Sequence, residues 1–238
     1  MEFSLLTSAV RLGPRQGRSL HAKFVAAAEA LDLDVLPELY IESGPVNAYA
    51  FGTSRFRVVL GSQLLDLMTE EEVVAVIGHE LGHVKCEHML LTSIARLLAR
   101  GALKGIASAF PLVGSAALIG LVAALQKWSR VAEVSCDRAA MIVVRDEQVV
   151  ARALGKLGGW SKAVAEEIDL DSMVVQSKEY EHLADGLDTG LFQLMYMAET
   201  WDMSHPFVVD RVRQIVTWGR SDQYRALEEA RLERQVEA

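Results

Sequence analysis

Cysteine is scarce in this sequence, because only Cys86 and Cys136 occur among its 238 residues. Two cysteines are too few for the disulfide framework that stabilises many small secreted domains. The segment Met1–Val10 also lacks the basic stretch and the long apolar run of a secretory signal peptide. We therefore expect a reducing compartment, the cytoplasm, and we interpret both cysteines as small buried residues.

Concentrated positive charge is absent as well. The net charge is −8, and the lysines and arginines do not gather in one stretch, which argues against nucleic acid as a partner. No stretch rich in proline, glycine and serine separates two halves of the chain. With 51% hydrophobic residues, the sequence predicts a single domain over 1–238, with its core at about 19–220 and a charged helix or tail at 221–238.

A pair of histidines stands out in the stretch His79-Glu80-Leu-Gly-His83. On a helix, residues four apart lie on one face, so both imidazoles can reach one metal ion. Glu80 lies one residue round from His79, close enough to act as a general base on a metal-bound water. A helix is expected here, because Thr69 is a suitable N-cap and Glu70–Glu72 complement the positive end of the helix dipole.

A catalytic zinc ion commonly has three protein ligands and an open fourth position. Glu133 is the candidate for the third ligand, since the chain after His83 is long enough for a helix to leave, turn and return. Asp137 lies four residues after Glu133, on the same helix face, where it could accept the second N–H of His79. The alternative interpretation of Glu133 and Asp137 is an ordinary acidic helix face, and the upstream histidine motif disfavours it.

Four blocks of this sequence, in the same order, resemble the gluzincin metallopeptidases related to the HtpX heat-shock protease and the CAAX prenyl endopeptidase. They are Asn47–Gly52 (NAYAFG), His79–His88, the Glu133-x-x-x-Asp137-x-x-Ala motif, and Ser204-His-Pro followed by Arg211. Two departures from the family pattern are small. Ser204 replaces the usual threonine, and Cys136 stands where alanine is common.

The resemblance implies an α+β, zincin-like domain, mostly helical with a small antiparallel sheet. It also implies that the strand containing Asn47, Ala48 and Ala50 binds an extended substrate, with Arg211 as a further substrate-binding residue. A plain hairpin strand is the alternative. His205 would either stabilise the oxyanion or occupy the open zinc position in a resting state.

These observations predict a zinc-dependent metalloendopeptidase with one zinc ion per chain and a peptide or protein substrate. Its ligands are His79, His83 and Glu133, and Glu80 is the general base. The alternative is a zinc-stabilised scaffold or binding protein that cuts nothing, although a purely structural site has no need for Glu80. Aminopeptidase activity is a further option, but the sequence shows no separate acidic cluster for a substrate amine.

The segment Gly105–Gln126 carries no charge and, at about 20 residues, is long enough to cross a bilayer. A single crossing would place His83 and Glu133 on opposite sides of the membrane. A pair of crossings is disfavoured by Arg96, Arg100 and Lys104, at roughly 2.5–3.5 kcal/mol each. We therefore expect no transmembrane span, but a helical hairpin over 94–126 that is buried, forms a dimer interface or lies on a membrane.

Periodicity and turn residues predict the remaining elements. We expect strands at 37–42 and within 47–60, paired as a small antiparallel sheet. The polar segment 166–188 is expected to form loops or a surface lobe. Helices are predicted at 18–33, 62–68, 69 to about 104, 111–144, 147–157, 191–199 and 206–215.

Overall fold

The computed structural model describes residues 2–52, 55–89, 91, 113–185 and 208–237. These residues form mostly helices around one small sheet. The strands are β1 (Ala9–Arg11), β2 (Glu38–Glu42), β3 (Ala48–Phe51) and β4 (Arg57–Gly61). The helices are α1 (Glu2–Ser8), α2 (Arg18–Ala30), α3 (Ser62–Leu67), α4 (Glu70–Lys85), α5 (Val113–Val144), α6 (Glu147–Leu157), α7 (Lys162–Glu167), α8 (Leu170–Asp185), α9 (Val208–Gly219) and α10 (Asp222–Glu237).

The sheet is mixed, which corrects the prediction of an antiparallel one. Its strand order is β1-β2-β4-β3; β2 and β4 run parallel, whereas β1–β2 and β3–β4 are antiparallel. All five residues of β4 are buried, and three of them are Val58, Val59 and Leu60. The most buried strand thus takes a central position, and β2 pairs with it rather than with β3, its neighbour in sequence.

The two faces of the sheet pack against different parts of the molecule. Side chains alternate along a strand, so Val58 and Leu60 join the main hydrophobic core while Val59 points to the other face. There Val59 meets Tyr40 and Leu5 of α1 in a small separate cluster. The main-core face lies against α4, which places the histidine motif beside the sheet.

Most predicted helices are confirmed, and one loop prediction is wrong. The helices expected at 18–33, 62–68, 111–144, 147–157 and 206–215 correspond to α2, α3, α5, α6 and α9. The segment 166–188 was expected as loops but is largely helical in α7 and α8. A side-chain cap explains this, since the Asp169 carboxylate accepts the backbone N–H of Ser172 at 2.8 Å and starts α8.

Two predicted helical regions, 191–199 and much of the 94–126 hairpin, lie outside the described residues. The described part of the hairpin, from residue 113 onward, belongs to α5. Among the helices that are described, none combines the length and apolar character that a bilayer crossing requires.

Helix α4 ends earlier than predicted, at Lys85 rather than near residue 104. Glu87 adopts a left-handed conformation with φ of 53°. The His88 N–H donates to the His83 carbonyl at 3.0 Å, and the Glu87 N–H to the Val84 carbonyl at 3.1 Å. This is a Schellman termination, with glutamate where glycine is usual. Cys86 lies at the cap and is exposed, which corrects the expectation that it is buried.

The start of α4 is fastened by a buried ion pair. Glu72 completes a capping box with Thr69, whose N–H donates to Glu72 Oε2 at 2.8 Å. The same oxygen accepts a hydrogen bond from Lys156 Nζ of α6 at 2.6 Å, and Arg152 Nε lies 3.4 Å from Glu72 Oε1. Because Glu72 and Lys156 are both buried, the pair holds α6 against the N-terminal turn of α4.

Replacing Lys156 with methionine should destabilise the protein substantially. The variant leaves the buried Glu72 carboxylate without its closest cation, and breaking a buried pair in this way costs about 3 kcal/mol. Urea unfolding would measure the loss. The control is Arg225→Met, which removes an exposed pair with Asp222 and should change the unfolding free energy by less than about 1 kcal/mol. Equal small losses in both variants would contradict the role given to Lys156.

Candidate metal centre

The centre depends on a close approach of α4 and α5. A Cβ atom placed on Gly82 would lie 2.9 Å from the Cβ of Ala139 and 3.0 Å from the Cα of Cys136. One placed on Gly78 would lie 3.0 Å from the Cα of Ala140. Residue numbers rise along α4 as they fall along α5, so the two helices are antiparallel. Because the residues at this crossing are small, the two helices approach closely and longer side chains of α4 and α5 near the crossing come into contact.

Three predicted ligands meet at this crossing. The Nε2 atom of His79 lies 3.5 Å from Glu133 Oε2, and the Nε2 atom of His83 lies 3.5 Å from Glu133 Oε1. Zinc binds such atoms at about 2.0–2.2 Å, so two donors of a tetrahedral ion are separated by about 3.4 Å. The spacing of these donors therefore fits one zinc ion.

Cys136 is a rival for the third ligand. Its sulfur and one nitrogen each of His79 and His83 all lie within 4.8 Å of one another. Burial, and then the charges of Glu133 and Asp137, raise the pKa of the Cys136 thiol well above its ordinary value. Since a metal binds the thiolate and not the thiol, these surroundings favour Glu133 as the ligand.

Asp137 lies behind His79, as its position one turn after Glu133 predicts. The distance from His79 Nδ1 to Asp137 Oδ1 is 2.9 Å, and Asp137 is fully buried. Burial alone would lower the pKa of His79, but hydrogen bonds to Asp137 and Glu133 outweigh it and raise the pKa to about 10. The carboxylates that hold a proton on His79 also favour a bound metal cation.

Arg211 reaches the same carboxylates from the first turns of α9. Its Nε and Nη2 donate to the two oxygens of Asp137 at 2.7 and 2.6 Å, and its Nη1 lies 3.1 Å from Glu133 Oε2. Arg211 is itself only 3% exposed. These contacts place its guanidinium on buried carboxylates, and its substrate-binding role stays a prediction.

Glu80 is buried beside the histidines, with 1% of its surface exposed. Within the described residues, its Oε1 atom has no hydrogen-bond partner. A buried carboxylate oxygen without a protein partner is costly unless another group, such as a water, supplies the hydrogen bond. The position of Glu80 therefore suits contact with a water at the metal.

His88 lies beside the second histidine of the motif. The turn at Glu87 redirects the chain, so the His88 ring lies edge-on to His83, with centroids 5.4 Å apart. The Trp128 ring is also perpendicular to the His88 ring, with centroids 5.4 Å apart, and the Cys136 sulfur lies 3.6 Å from His88 Nδ1. Burial, followed by the charge of His83, lowers the pKa of His88 to about 4. A neutral imidazole therefore supports the second histidine of the motif.

The predicted substrate strand is the terminal strand of the described sheet. Ala48 and Ala50 lie in β3, which contacts α4, and Ala48 is buried against it. Asn47 comes just before the strand, and its carbonyl accepts the Gly61 N–H at 2.9 Å. The last predicted site residue, His205, lies outside the described residues.

Comparison with known proteins supports the motif analysis. Residues 14–219 match peptidase family M48. The chain is 34% identical over 223 residues to the plastoglobule-localized metallopeptidase 48 of Arabidopsis thaliana, covering 92% of this chain and 62% of the relative. It is 26% identical over 194 residues to a protease HtpX homolog of Helicobacter acinonychis, covering 72% of this chain and 62% of the relative.

A third relative matches a shorter stretch. The metalloprotease LoiP of Escherichia coli is 43% identical over 70 residues, which are 29% of this chain and 27% of the relative. The chain thus spans less than two thirds of the length of these curated relatives. Together the matches confirm the resemblance inferred from the four sequence blocks.

Substituting Gly82 with alanine should weaken metal binding and stability together. The added methyl would lie 2.9 Å from Ala139, and forcing extra volume into a packed contact costs roughly 1–3 kcal/mol. Gly120→Ala is a matched control, because a Cβ there meets no atom of the described residues within 4 Å and alanine favours a helix. Zinc competition with a chromophoric chelator and thermal melting would measure both effects. Similar behaviour of the two variants would contradict the close approach.

Proposed function

The chain belongs to peptidase family M48, and we propose that it is a zinc-dependent endopeptidase of the gluzincin type. In this proposal His79, His83 and Glu133 hold one zinc ion. The observation that carries it is the convergence of both Nε2 atoms on the two oxygens of Glu133, each at 3.5 Å. The identity of the metal rests on the donor set, since two imidazoles and one carboxylate are typical of catalytic zinc.

When bound by His79, His83 and Glu133, a zinc ion would supply Lewis acidity toward a water and toward the scissile carbonyl. Glu80 then accepts a proton from the attacking water and passes it to the leaving amine. Its carboxylate is suited to this task because Oε1 is buried and, within the described residues, makes no competing hydrogen bond. Asp137 accepts the Nδ1–H of His79, which leaves the Nε2 lone pair directed at the ligand cluster.

Substrate binding is proposed along β3. A terminal strand can add an extended peptide through main-chain hydrogen bonds, so Asn47, Ala48 and Ala50 would hold the substrate beside α4. Small side chains at 48 and 50 leave this edge open to varied sequences. Binding through the peptide backbone favours cleavage within a protein or peptide over removal of a terminal residue.

His205 is proposed to act at the open zinc position, either blocking it or stabilising the oxyanion. The support is positional, because α9 begins at Val208, three residues later. A three-residue connection spans at most about 11 Å. Arg211 of that helix touches Asp137 and Glu133, so the start of α9 is anchored at the centre.

The alternative, a zinc-stabilised scaffold without activity, is not favoured. A structural site closes its fourth position with a protein ligand and uses no general base. Here a buried glutamate lies beside the histidine pair, which is the arrangement that hydrolysis requires.

Glu80→Gln should separate peptide hydrolysis from zinc binding. The amide preserves the size of the side chain but cannot accept the water proton, so hydrolysis of unfolded casein should fall by roughly 10²–10⁴-fold. Zinc content should stay near one ion per chain, because Glu80 is not a ligand in this proposal. Metal analysis and a casein assay would be run on the same preparation.

The companion variant, Glu133→Gln, should lose most of its zinc, because a neutral amide is a much weaker ligand than a carboxylate. If Glu80→Gln retains full activity, the proposed base is wrong. If both variants keep their zinc, the ligand set is wrong instead.

A further inference from the structure

Arg211 lies among buried carboxylates as a permanent positive charge. It makes two charge-assisted hydrogen bonds to Asp137, at 2.6 and 2.7 Å, in the bidentate geometry that suits a guanidinium. The same group lies 3.1 Å from Glu133 Oε2, and Nη2 lies 3.4 Å from His79 Nδ1. Arg211 thus contacts the proposed ligand Glu133. It also contacts Asp137, which orients His79, and His79 itself.

Charge explains why the fold needs a cation here. Glu133 and Asp137 are one helical turn apart and both buried, Asp137 completely. Burying two carboxylates this close together is costly unless a cation lies beside them. When a metal is bound, the ion supplies part of that charge. Within the described residues, Arg211 is the basic side chain that contacts both carboxylates. It supplies positive charge at this position when no metal is bound.

We infer that Arg211 is a positioning residue that stands in for the metal's charge in the metal-free protein. Its contacts hold the Glu133 and Asp137 carboxylates in place, so the ligand cluster is assembled before the metal arrives. It also makes this assembly depend on α9, because Arg211 is 74 residues beyond Asp137 in the chain. The inference rests on the proposed metal site, but the charge argument can be tested without metal.

The first test compares Arg211→Met in two states. The melting temperature of the full chain would be measured after exhaustive EDTA dialysis and again with zinc added. The metal-free variant should melt about 6–15 °C below the metal-free wild type, and the zinc-loaded pair should differ by less than half as much. Arg213→Met is the matched control on the same helix; its partly exposed pair with Asp210 should give a small shift that is equal in both states.

Two further variants keep the test decisive if Arg211→Met does not fold without zinc. Arg211→Lys retains the charge and should keep most of the metal-free stability. Arg211→Met/Asp137→Asn removes one carboxylate together with the cation, and should recover at least half of the stability lost by Arg211→Met alone. This double variant reports on charge balance even if the protein takes up no zinc.

The outcomes separate this inference from the proposed function. Equal losses with and without zinc, or a double variant less stable than Arg211→Met, would show that Arg211 is an ordinary packing residue. Absence of any zinc-dependent shift in the wild type would overturn the proposed zinc site. In that case recovery in the double variant would still support the charge role of Arg211.

Discussion

The contact between α4 and α5 is the constraint on which the rest of the centre depends. Gly78 and Gly82 occupy the face of α4 that meets Cys136, Ala139 and Ala140, and no larger side chain fits there without movement. The short distance between the helix axes allows a glutamate on one helix to meet two histidines on the other. The packing and the chemistry therefore arise from the same few positions on each helix.

Buried charge is distributed over two separate clusters along α4. At its first turn, Glu72 pairs with Lys156 of α6. At its last turns, the histidines meet Glu133 and Asp137 of α5, and Arg211 of α9 closes the cluster. Each cluster joins α4 to a helix that is distant in the sequence. Helix α4 is thus held at both ends by charges that have little solvent to screen them.

The sequence predicted those parts of the site that depend on residues close together in the chain. The spacing of His79 and His83 and the capping residue Thr69 are local signals of this kind, and α4 begins where Thr69 predicts. Asp137 lies where helix periodicity places it relative to Glu133. The partner of Arg211 could not be read in this way, because a guanidinium can pair with any acidic residue and its partner is 74 residues away. The strand pairing was mispredicted for a similar reason, because β2 pairs with β4 and not with β3, its neighbour in sequence.

The end of α4 shows a different limit. Residues 86–100 contain no glycine or proline, so nothing in the sequence marks a helix end near Lys85, yet Glu87 adopts a left-handed conformation. The left-handed residue Glu87 turns the chain so that the His88 ring lies beside His83. A single backbone angle thus decides where the His88 ring lies.

The spread of the cluster along the chain has a consequence for biosynthesis. Proteins are made from the N-terminus, and their parts begin to fold as they leave the ribosome. His79 and His83 emerge long before Arg211, which bonds to Asp137 across 74 residues. A nascent chain can therefore form α4 and still lack the cation that completes the cluster. The order of translation delays completion of the charged cluster until α9 has been made.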